Sequence, residues 1–235
     1  MHRAPAAADL VELVIPCLNE EAALPELLAG VPSGWAVIVV DNGSRDRTAE
    51  VAEAAGATVI REDRAGYGAA VDRGLRAANR DIVVVLDGDG SIRPGDLAAL
   101  VDDVASGRAD LCCAARRPVT TAAWPLHARA GNRVLAAVLS LALGLDLHDI
   151  APVRIARRTA LRDLGVTDRR FGYPLETLLR ARAAGWVITE HPIPYHPRNG
   201  GRSKVTGSIR GTLRALRDFA GVLMANRDLL RRRPR

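Results

Sequence analysis

Ile82-Val83-Val84-Val85-Leu86-Asp87-Gly88-Asp89-Gly90 is the stretch that decides how this chain folds and where its chemistry lies. Its five apolar residues, most of them β-branched, are typical of a strand buried on both faces. Asp87 and Asp89 follow at the carboxyl end, where the ligands of open α/β sheets collect. Mg²⁺ prefers carboxylate oxygens completed by water and substrate phosphates, and the glycines let a diphosphate approach the backbone. The alternative is an ordinary Asp-Gly turn, which this stretch alone does not exclude.

Strand and helix patterns alternate upstream of this stretch. We expect strands at 11–16, 36–40 and 57–61, a helix that begins near Asn19, and further helices at 49–55 and 69–79. Such alternation predicts a doubly wound parallel sheet. Polar clusters follow the first, second and fourth strands, so they meet at one edge of the sheet and favour a nucleotide-binding crevice there.

Length and composition restrict the class of protein. A chain of 235 residues with 48% apolar residues is long enough for one globular domain. Its net charge of +6 suits anionic partners, whereas 3% aromatic residues argue against base stacking on single-stranded nucleic acid. The three cysteines, Cys17, Cys112 and Cys113, indicate neither a disulfide framework nor a zinc site, which favours a cytoplasmic protein. The longest apolar stretch, Val134 to Leu145, is too short to span a bilayer and is expected to be a buried helix rather than a surface-seeking one.

Four segments in the first half carry a resemblance to a known family. Segments 16–20, 41–48, 64–74 and 87–89 resemble, in order and spacing, the successive motifs of family 2 glycosyltransferases. The resemblance implies the GT-A fold, a Rossmann-like α/β fold with a mostly parallel central sheet flanked by helices. It also implies a nucleotide-sugar donor, UDP- or GDP-linked, and Mg²⁺ or Mn²⁺ held by Asp87 and Asp89. Carried over by motif, the donor nucleotide contacts are Pro16, Leu18, Glu20, Asp41, Gly43, Arg64, Gly68, Asp87 and Gly88.

Two positions depart from that pattern. Many members of the family carry tyrosine where this chain has Leu18, and a second aspartate is common where it has Asn42. Both departures leave the acidic group of Asp41 in place, but they weaken any inference about which base is bound.

The second half resembles a narrower group, the polyprenyl-phosphate glycosyltransferases such as the dolichyl-phosphate mannose synthases. The matching segments are Arg129 with Asn132, 148–154, 171–176 and 193–204, although alanine or proline replaces a glycine usual in the second of them. The resemblance covers residues 11 to 210 and implies a polyprenyl phosphate acceptor. The residues assigned to the acceptor phosphate are Arg129, Arg198, Arg202, Ser203 and Lys204.

Segment 198–204 also predicts phosphate binding from its composition alone. It combines three cationic side chains and a hydroxyl with two glycines, whose backbone amides are expected to be exposed. Such a combination binds phosphate. The alternative is a basic loop that is only solvated.

The need for a general base depends on the acceptor. A hydroxyl acceptor requires a group that takes its proton, and Glu176 and Asp149 are the candidates. A carboxylate in the first turn of a helix, as predicted for Glu176, is also explained by the helix dipole. A phosphate acceptor is already anionic and needs no base. The predicted catalytic residues are Asp89, Glu176, Asp149 and Arg154.

We expect a GT-A domain at 10–204, with a nucleotide-sugar half at 10–115 and an acceptor half at 116–204. Residues 1–9 are expected to be a disordered tail and 205–235 a basic amphipathic helix. Such a helix can lie on an anionic membrane surface at the inner face of the membrane, pack on its own domain, or pack on a second subunit in a homodimer.

Taken together, these patterns favour a metal-dependent, inverting glycosyltransferase that acts by direct displacement. The acceptor is a polyprenyl phosphate or, alternatively, a soluble hydroxyl in polysaccharide or natural-product assembly. A non-catalytic nucleotide- or nucleic-acid-binding module fits the net charge, but the acidic pairs would repel a polyanion, so we expect no nucleic-acid partner. A sugar-nucleotide pyrophosphorylase would require a glycine-rich, arginine-lysine loop after the first strand, which is missing.

Overall fold

The structure is a computed structural model that describes residues 10–124, 126–150, 153–199 and 209–231. Its strands are β1 (Val11–Cys17), β2 (Ala36–Asp41), β3 (Thr58–Arg61), β4 (Ile82–Val85), β5 (Leu111–Pro118), β6 (Arg154–Arg157) and β7 (Ile188–Tyr195). Its helices are α1 (Leu24–Ala29), α2 (Thr48–Ala54), α3 (Tyr67–Ala77), α4 (Ala98–Ala105), α5 (Leu126–Leu143), α6 (Arg158–Asp163), α7 (Tyr173–Ala183), α8 (Ile209–Ala225) and α9 (Arg227–Arg231), with a 3₁₀ turn at Pro94–Leu97.

The described strands form one sheet in the order β3-β2-β1-β4-β6-β5-β7. β1 to β4 are mutually parallel, and β5 is parallel to β7, so the expected mostly parallel α/β fold is confirmed. β6 is antiparallel to both of its neighbours, β4 and β5. β4 is buried along its whole length, as its β-branched run predicts.

Helix boundaries differ from the sequence prediction mainly at the first helix. α1 begins at Leu24 rather than near Asn19, because Asn19 has a positive φ of 54° and cannot continue a helix. α2 and α3 begin and end within two residues of their predicted bounds.

The apolar stretch 134–145, which lies mostly in α5, is buried on one face only. Ala136 and Leu139 are buried, whereas Val134, Val138 and Leu141 are 66%, 55% and 88% exposed. The expectation of a buried helix is therefore wrong for half of its surface. No helix within the described ranges combines the length and apolarity needed to cross a bilayer.

The C-terminal helix α8 packs on its own domain. Val222 is buried in a cluster with Leu139 of α5 and with Leu175 and Leu179 of α7. This contact supports the second of the three alternatives for the tail. The predicted disordered segment 1–9 lies outside the described residues.

Candidate active site

The loops after β1 and β2 are tied together at the carboxyl edge of the sheet. The backbone N–H of Asn19 donates to Ser44 Oγ (2.9 Å), and Asn19 Oδ1 accepts from the N–H of Arg45 (2.8 Å). The N–H of Glu20 donates to Thr48 Oγ1 (2.9 Å). Two of the three polar clusters that the sequence places at one edge are therefore joined by hydrogen bonds.

Asn42 joins the loop after β3 to the same edge. Its Nδ2 donates to the carbonyls of Glu62 (2.8 Å) and Arg64 (2.9 Å), and its Oδ1 accepts from the N–H of Gly66 (2.8 Å). An ionised aspartate could only accept hydrogen bonds and would leave both carbonyls without this donor. The departure from the family pattern at this position thus has a structural reason.

The donor residues predicted around β1 and β2 lie at this edge. Asp41 is buried and accepts a hydrogen bond from the N–H of Ser44 (2.9 Å), and Gly43 occupies the turn between them with a φ of +87°. A Cβ at Gly88 would lie 2.6 Å from Cys17 Sγ and 3.6 Å from Glu20 Cγ, so glycine lets the strand ends approach closely. Pro16 and Leu18 lie partly buried beside them.

Gly68 has a packing role, while its predicted donor contact stays a prediction. A Cβ there would lie 2.5 Å from the carbonyl oxygen of Asp168, and the N–H of Gly68 donates to the carbonyl of Arg170 (3.2 Å). This glycine therefore allows the start of α3 to approach the backbone before α7. The neighbouring Arg64 side chain is exposed.

Asp87 has the properties expected of a carboxylate that binds a metal cation. Its Oδ1 is buried and accepts no hydrogen bond from a described residue, although Tyr67 hydrogen-bonds the carboxylate. Burial, and then the negative charge of Asp89, raise the pKa of Asp87 to about 6. A buried carboxylate oxygen without a donor is costly. A hard divalent cation would satisfy it and would offset the charge repulsion between the two aspartates, so the pair fits Mg²⁺ or Mn²⁺.

Asp89 is held by its own loop and by the segment that follows β7. Its Oδ1 accepts from the N–H of Ser91 (3.0 Å), and its Oδ2 lies 3.0 Å from an Arg198 guanidinium nitrogen. The N–H of Asn199 also donates to the carbonyl of Asp89 (3.2 Å). Arg198 is thus brought to the site as the sequence predicts. The other members of that loop, Arg202, Ser203 and Lys204, lie outside the described residues.

Arg116 is a site residue that the sequence analysis missed. Its guanidinium donates to both oxygens of Asp149 (2.6 and 2.7 Å) and lies 4.0 Å above the ring of Trp124. It also lies near enough to Asp87 for the charges to interact. A signal for it existed, because Arg116 follows the buried run of β5, whose carboxyl end lies at the same edge as that of β4.

Asp149 positions Arg116 and is not a free base. Both of its oxygens are engaged by the guanidinium, and Oδ2 also accepts the backbone N–H of Arg116 (3.0 Å). Glu190 holds the turn that presents it, accepting the backbone N–H groups of His148 (2.9 Å) and Asp149 (3.1 Å). The predicted catalytic role of Asp149 as a proton acceptor is therefore not supported.

Glu176 also has a structural role. Its carboxylate accepts from the N–H and hydroxyl of Thr167, the N–H of Asp168 and the guanidinium of Arg180 (2.6 Å). Burial alone would raise the pKa of Glu176, but hydrogen bonds from Asp168, Thr167 and Arg180 together hold it below the ordinary value. A carboxylate that is fully engaged, with a lowered pKa, is a poor base.

We expect Glu176→Gln to lower stability by about 2 kcal/mol at neutral pH and to leave the turnover number within twofold. Because the pKa is lowered in the folded protein, this stabilisation is present above the ordinary value of 4.5 and is lost as the pH falls through the folded value. Urea unfolding at pH 7 and pH 4 tests this: the gap between variant and wild type should narrow at pH 4. A hundredfold loss of turnover with unchanged stability would restore the catalytic role.

Arg154 lies beneath the site instead of in it. Its side chain is 1% exposed in β6, beside Val85 of β4 in the strand register. Its charge lowers the pKa of Asp87, after the larger effects of burial, Asp89, Arg198 and Arg116. In this conformation the side chain is therefore not exposed to a substrate, and Arg154 acts as a buried counter-charge to Asp87, while its predicted catalytic role stays a prediction.

A cationic cavity adjoins Arg116. It has a volume of about 210 Å³, and the polar residues that line it are Arg116, Arg117, Arg129, Asn132, Arg133, His148 and Asp149. Asn132 Oδ1 accepts from Arg116 (3.3 Å), while its buried Nδ2 meets no acceptor among the described residues. Four arginines and an amide donor in need of an acceptor suit an anionic group. Arg129 thus lies where the sequence analysis places it.

The family model described as Glycosyl transferase family 2 matches residues 12–165. An uncharacterized glycosyltransferase of Mycobacterium tuberculosis is 52% identical over 92% of this chain and 99% of its own length. The dolichyl-phosphate hexose transferase of Haloferax volcanii is 34% identical over 82% of this chain and 85% of its own. Glucosyl-3-phosphoglycerate synthase from Mycobacterium tuberculosis, solved with Mn²⁺, uridine-diphosphate and glucosyl-3-phosphoglycerate, shares the fold with a TM-score of 0.74, 24% identity, and coverage of 96% of this chain and 86% of that one. This chain belongs to glycosyltransferase family 2 and is a glycosyltransferase with the GT-A fold.

Proposed function

We propose that this chain transfers a sugar from a nucleotide-sugar donor to a polyprenyl phosphate in a metal-dependent reaction. The observation that carries this proposal is the position of Arg116. It lines the arginine-rich cavity and lies near enough to Asp87 for their charges to interact, so one residue is shared by the group that would bind a cation and the group that would bind an anion. The boundary that the sequence analysis expects, between a donor half at 10–115 and an acceptor half at 116–204, also falls at this residue.

The donor half would bind the nucleotide through the loops after β1 and β2. Asp87 and Asp89 would hold Mg²⁺ or Mn²⁺, which when bound offsets the negative charge on the leaving nucleoside diphosphate. The related synthase solved with Mn²⁺ and uridine-diphosphate supports this donor chemistry. Arg198 forms an ion pair with Asp89 and would donate hydrogen bonds to a diphosphate bound at the same edge of the sheet.

The acceptor half favours a phosphate over a hydroxyl. Asp149 and Glu176, the two carboxylates proposed as bases, are both fully engaged in structural contacts. An acceptor phosphate needs no base, because it is already anionic near neutral pH. Arg129 and Arg133, which line the cavity, would hold it for a single displacement at the anomeric carbon, with inversion.

A polyprenyl chain also fits the surface beside the cavity. Val134, Val138 and Leu141 are exposed on α5, the helix that supplies Arg129 and Arg133 to the cavity. A lipid phosphate held by the arginines would place its apolar tail against these exposed residues of α5. It would also bring the protein to the membrane surface. The relative named dolichyl-phosphate hexose transferase supports this choice.

A soluble phosphorylated acceptor is the second candidate, and the solved glucosyl-3-phosphoglycerate complex favours it. The two are separated by measuring transfer to a short-chain prenyl phosphate, to the matching prenol and to 3-phosphoglycerate. We expect transfer to the prenyl phosphate alone, and a tenfold or greater rise of its KM in Arg129→Ala with an unchanged donor KM. Equal rates with prenol and prenyl phosphate would contradict a phosphate site, and a preference for 3-phosphoglycerate would establish the second candidate.

A further inference from the structure

We propose that Asp103, Cys112 and His191 form a zinc-binding site separate from the Asp87–Asp89 pair. The three residues come from α4, β5 and β7, and their ligand atoms all lie within 4.8 Å of one another. Cys112 precedes Arg116 by four positions on β5, so the cluster lies about 13 Å along the strand from the candidate active site.

Strand register brings the cysteine and the histidine to one face of the sheet. Cys112 pairs with Thr189 on the parallel strand β7, and His191 lies two positions further on. Since side chains alternate along a strand, residues 189 and 191 point to the same face, next to Cys112. Asp103 reaches this face from α4, where its Oδ2 lies 2.6 Å from His191 Nε2.

The ligand types suit zinc. Thiolate, imidazole and carboxylate are the usual ligands of Zn²⁺, and three protein ligands leave the fourth tetrahedral position for water. The Asp87–Asp89 pair offers oxygen ligands only, which suit hard cations, so the two sites would take different metals.

Neighbouring groups orient the ligands as an outer shell does in metal sites. Arg108 binds Asp103 Oδ1 through two guanidinium nitrogens (2.7 and 2.9 Å), which leaves Oδ2 directed at His191. The buried hydroxyl of Thr189, the residue paired with Cys112 in the strand register, meets no hydrogen-bond partner among the described residues. Such outer-shell partners fix the orientation of metal ligands.

An ion would enter from the histidine side. Cys112 is fully buried, whereas the His191 side chain is 43% exposed on the edge strand. Because zinc binds the thiolate, binding must displace a proton from the Cys112 sulfur.

The spacing of the cysteines indicates no zinc site, and it could not reveal this one, because the ligands Asp103, Cys112 and His191 are far apart in the chain. A bound ion would link α4 to the edge strand β7. This strand ends at Tyr195, whose ring lies 5.5 Å from the Arg116 guanidinium. Metal at this cluster would therefore stabilise the strand pair that presents Arg116.

Metal-stripped full-length protein titrated with Co²⁺ and then Zn²⁺ tests the proposal. Cobalt bound by a thiolate gives a sulfur-to-metal charge-transfer absorption that oxygen ligands cannot give. We expect this absorption in the wild type and in Asp87→Asn, and we expect Zn²⁺ affinity to fall at least 100-fold in Cys112→Ser and in His191→Ala.

Cys113→Ser is the matched control, since Cys113 is adjacent on β5 but packs in the core on the other face of the sheet. It should keep the absorption. His191→Ala alters a partly exposed side chain and keeps the test valid if Cys112→Ser does not fold. Absence of the absorption in the wild type, its survival in Cys112→Ser, or unchanged Zn²⁺ affinity in His191→Ala would each overturn the proposal.

Discussion

Asp89→Asn is expected to lower kcat/KM for sugar transfer by about 1,000-fold or more, because charge stabilisation at the leaving group contributes most to such a displacement. Asparagine keeps an oxygen that can accept from the N–H of Ser91, but it removes the charge that a divalent cation and Arg198 require. The fold should survive, and circular dichroism with a thermal melt would verify this. Initial rates measured across a Mn²⁺ titration would give the loss and its metal dependence.

Asp102→Asn is the matched control for that variant. Asp102 is an exposed carboxylate on α4, so its loss changes the net charge equally without touching the site. It should keep wild-type rates. If Asp89→Asn retained more than a tenth of the activity with an unchanged Mn²⁺ requirement, the assignment of the cation to the Asp87–Asp89 pair would be wrong.

Arg116→Gln is expected to lower both activity and stability. The guanidinium is the group that links the two candidate binding sites, and its loss should reduce kcat/KM by about 100-fold. The substitution also leaves the buried Asp149 carboxylate without its ion-pair partner, which lowers the free energy of unfolding by about 3–5 kcal/mol. Chemical denaturation and initial rates on the same preparation would measure the two losses.

A double variant separates these two effects. Arg116→Gln with Asp149→Asn removes the buried unpaired charge, so we expect most of the lost stability to return while activity stays low. Recovery of activity together with stability would mean that Arg116 serves only the fold. Arg157→Gln, which breaks the partly exposed ion pair with Asp81, is the control and should cost at most about 1 kcal/mol.

Local patterns predicted the first half of the fold well. The β-branched run before Asp87 and the alternation of strands and helices depend on neighbouring residues only, and β1 to β4 are parallel as expected. The antiparallel placement of β6 between β4 and β5 depends on contacts distant in the chain, such as Val85 opposite Arg154, and no local pattern predicted it.

The candidate site was predicted only in part, because some of its contacts also join residues that are distant in the chain. Asp87, Asp89 and Arg198 meet as expected, since strand ends and loops of a parallel sheet converge at one edge. The pairing of Arg116 with Asp149 joins residues 33 positions apart and could not be predicted from spacing. The role of Glu176 could not be settled from sequence, because a carboxylate near a helix start suggests function and helix stabilisation equally, and the contacts to Thr167 and Arg180, which favour a structural role, are not part of that pattern.

Donor binding is the most direct test of a metal-dependent nucleotide-sugar site. We would measure the melting temperature with UDP, GDP and their sugar conjugates, each with Mn²⁺, Mg²⁺ or EDTA. A ligand that binds only the folded protein raises the melting temperature, by the equivalent of about 2.7 kcal/mol at one hundred times its Kd. We predict a rise with one diphosphate that requires the metal and disappears in Asp87→Asn. No rise with any nucleotide, or a rise that persists in EDTA and in Asp87→Asn, would contradict the site described above.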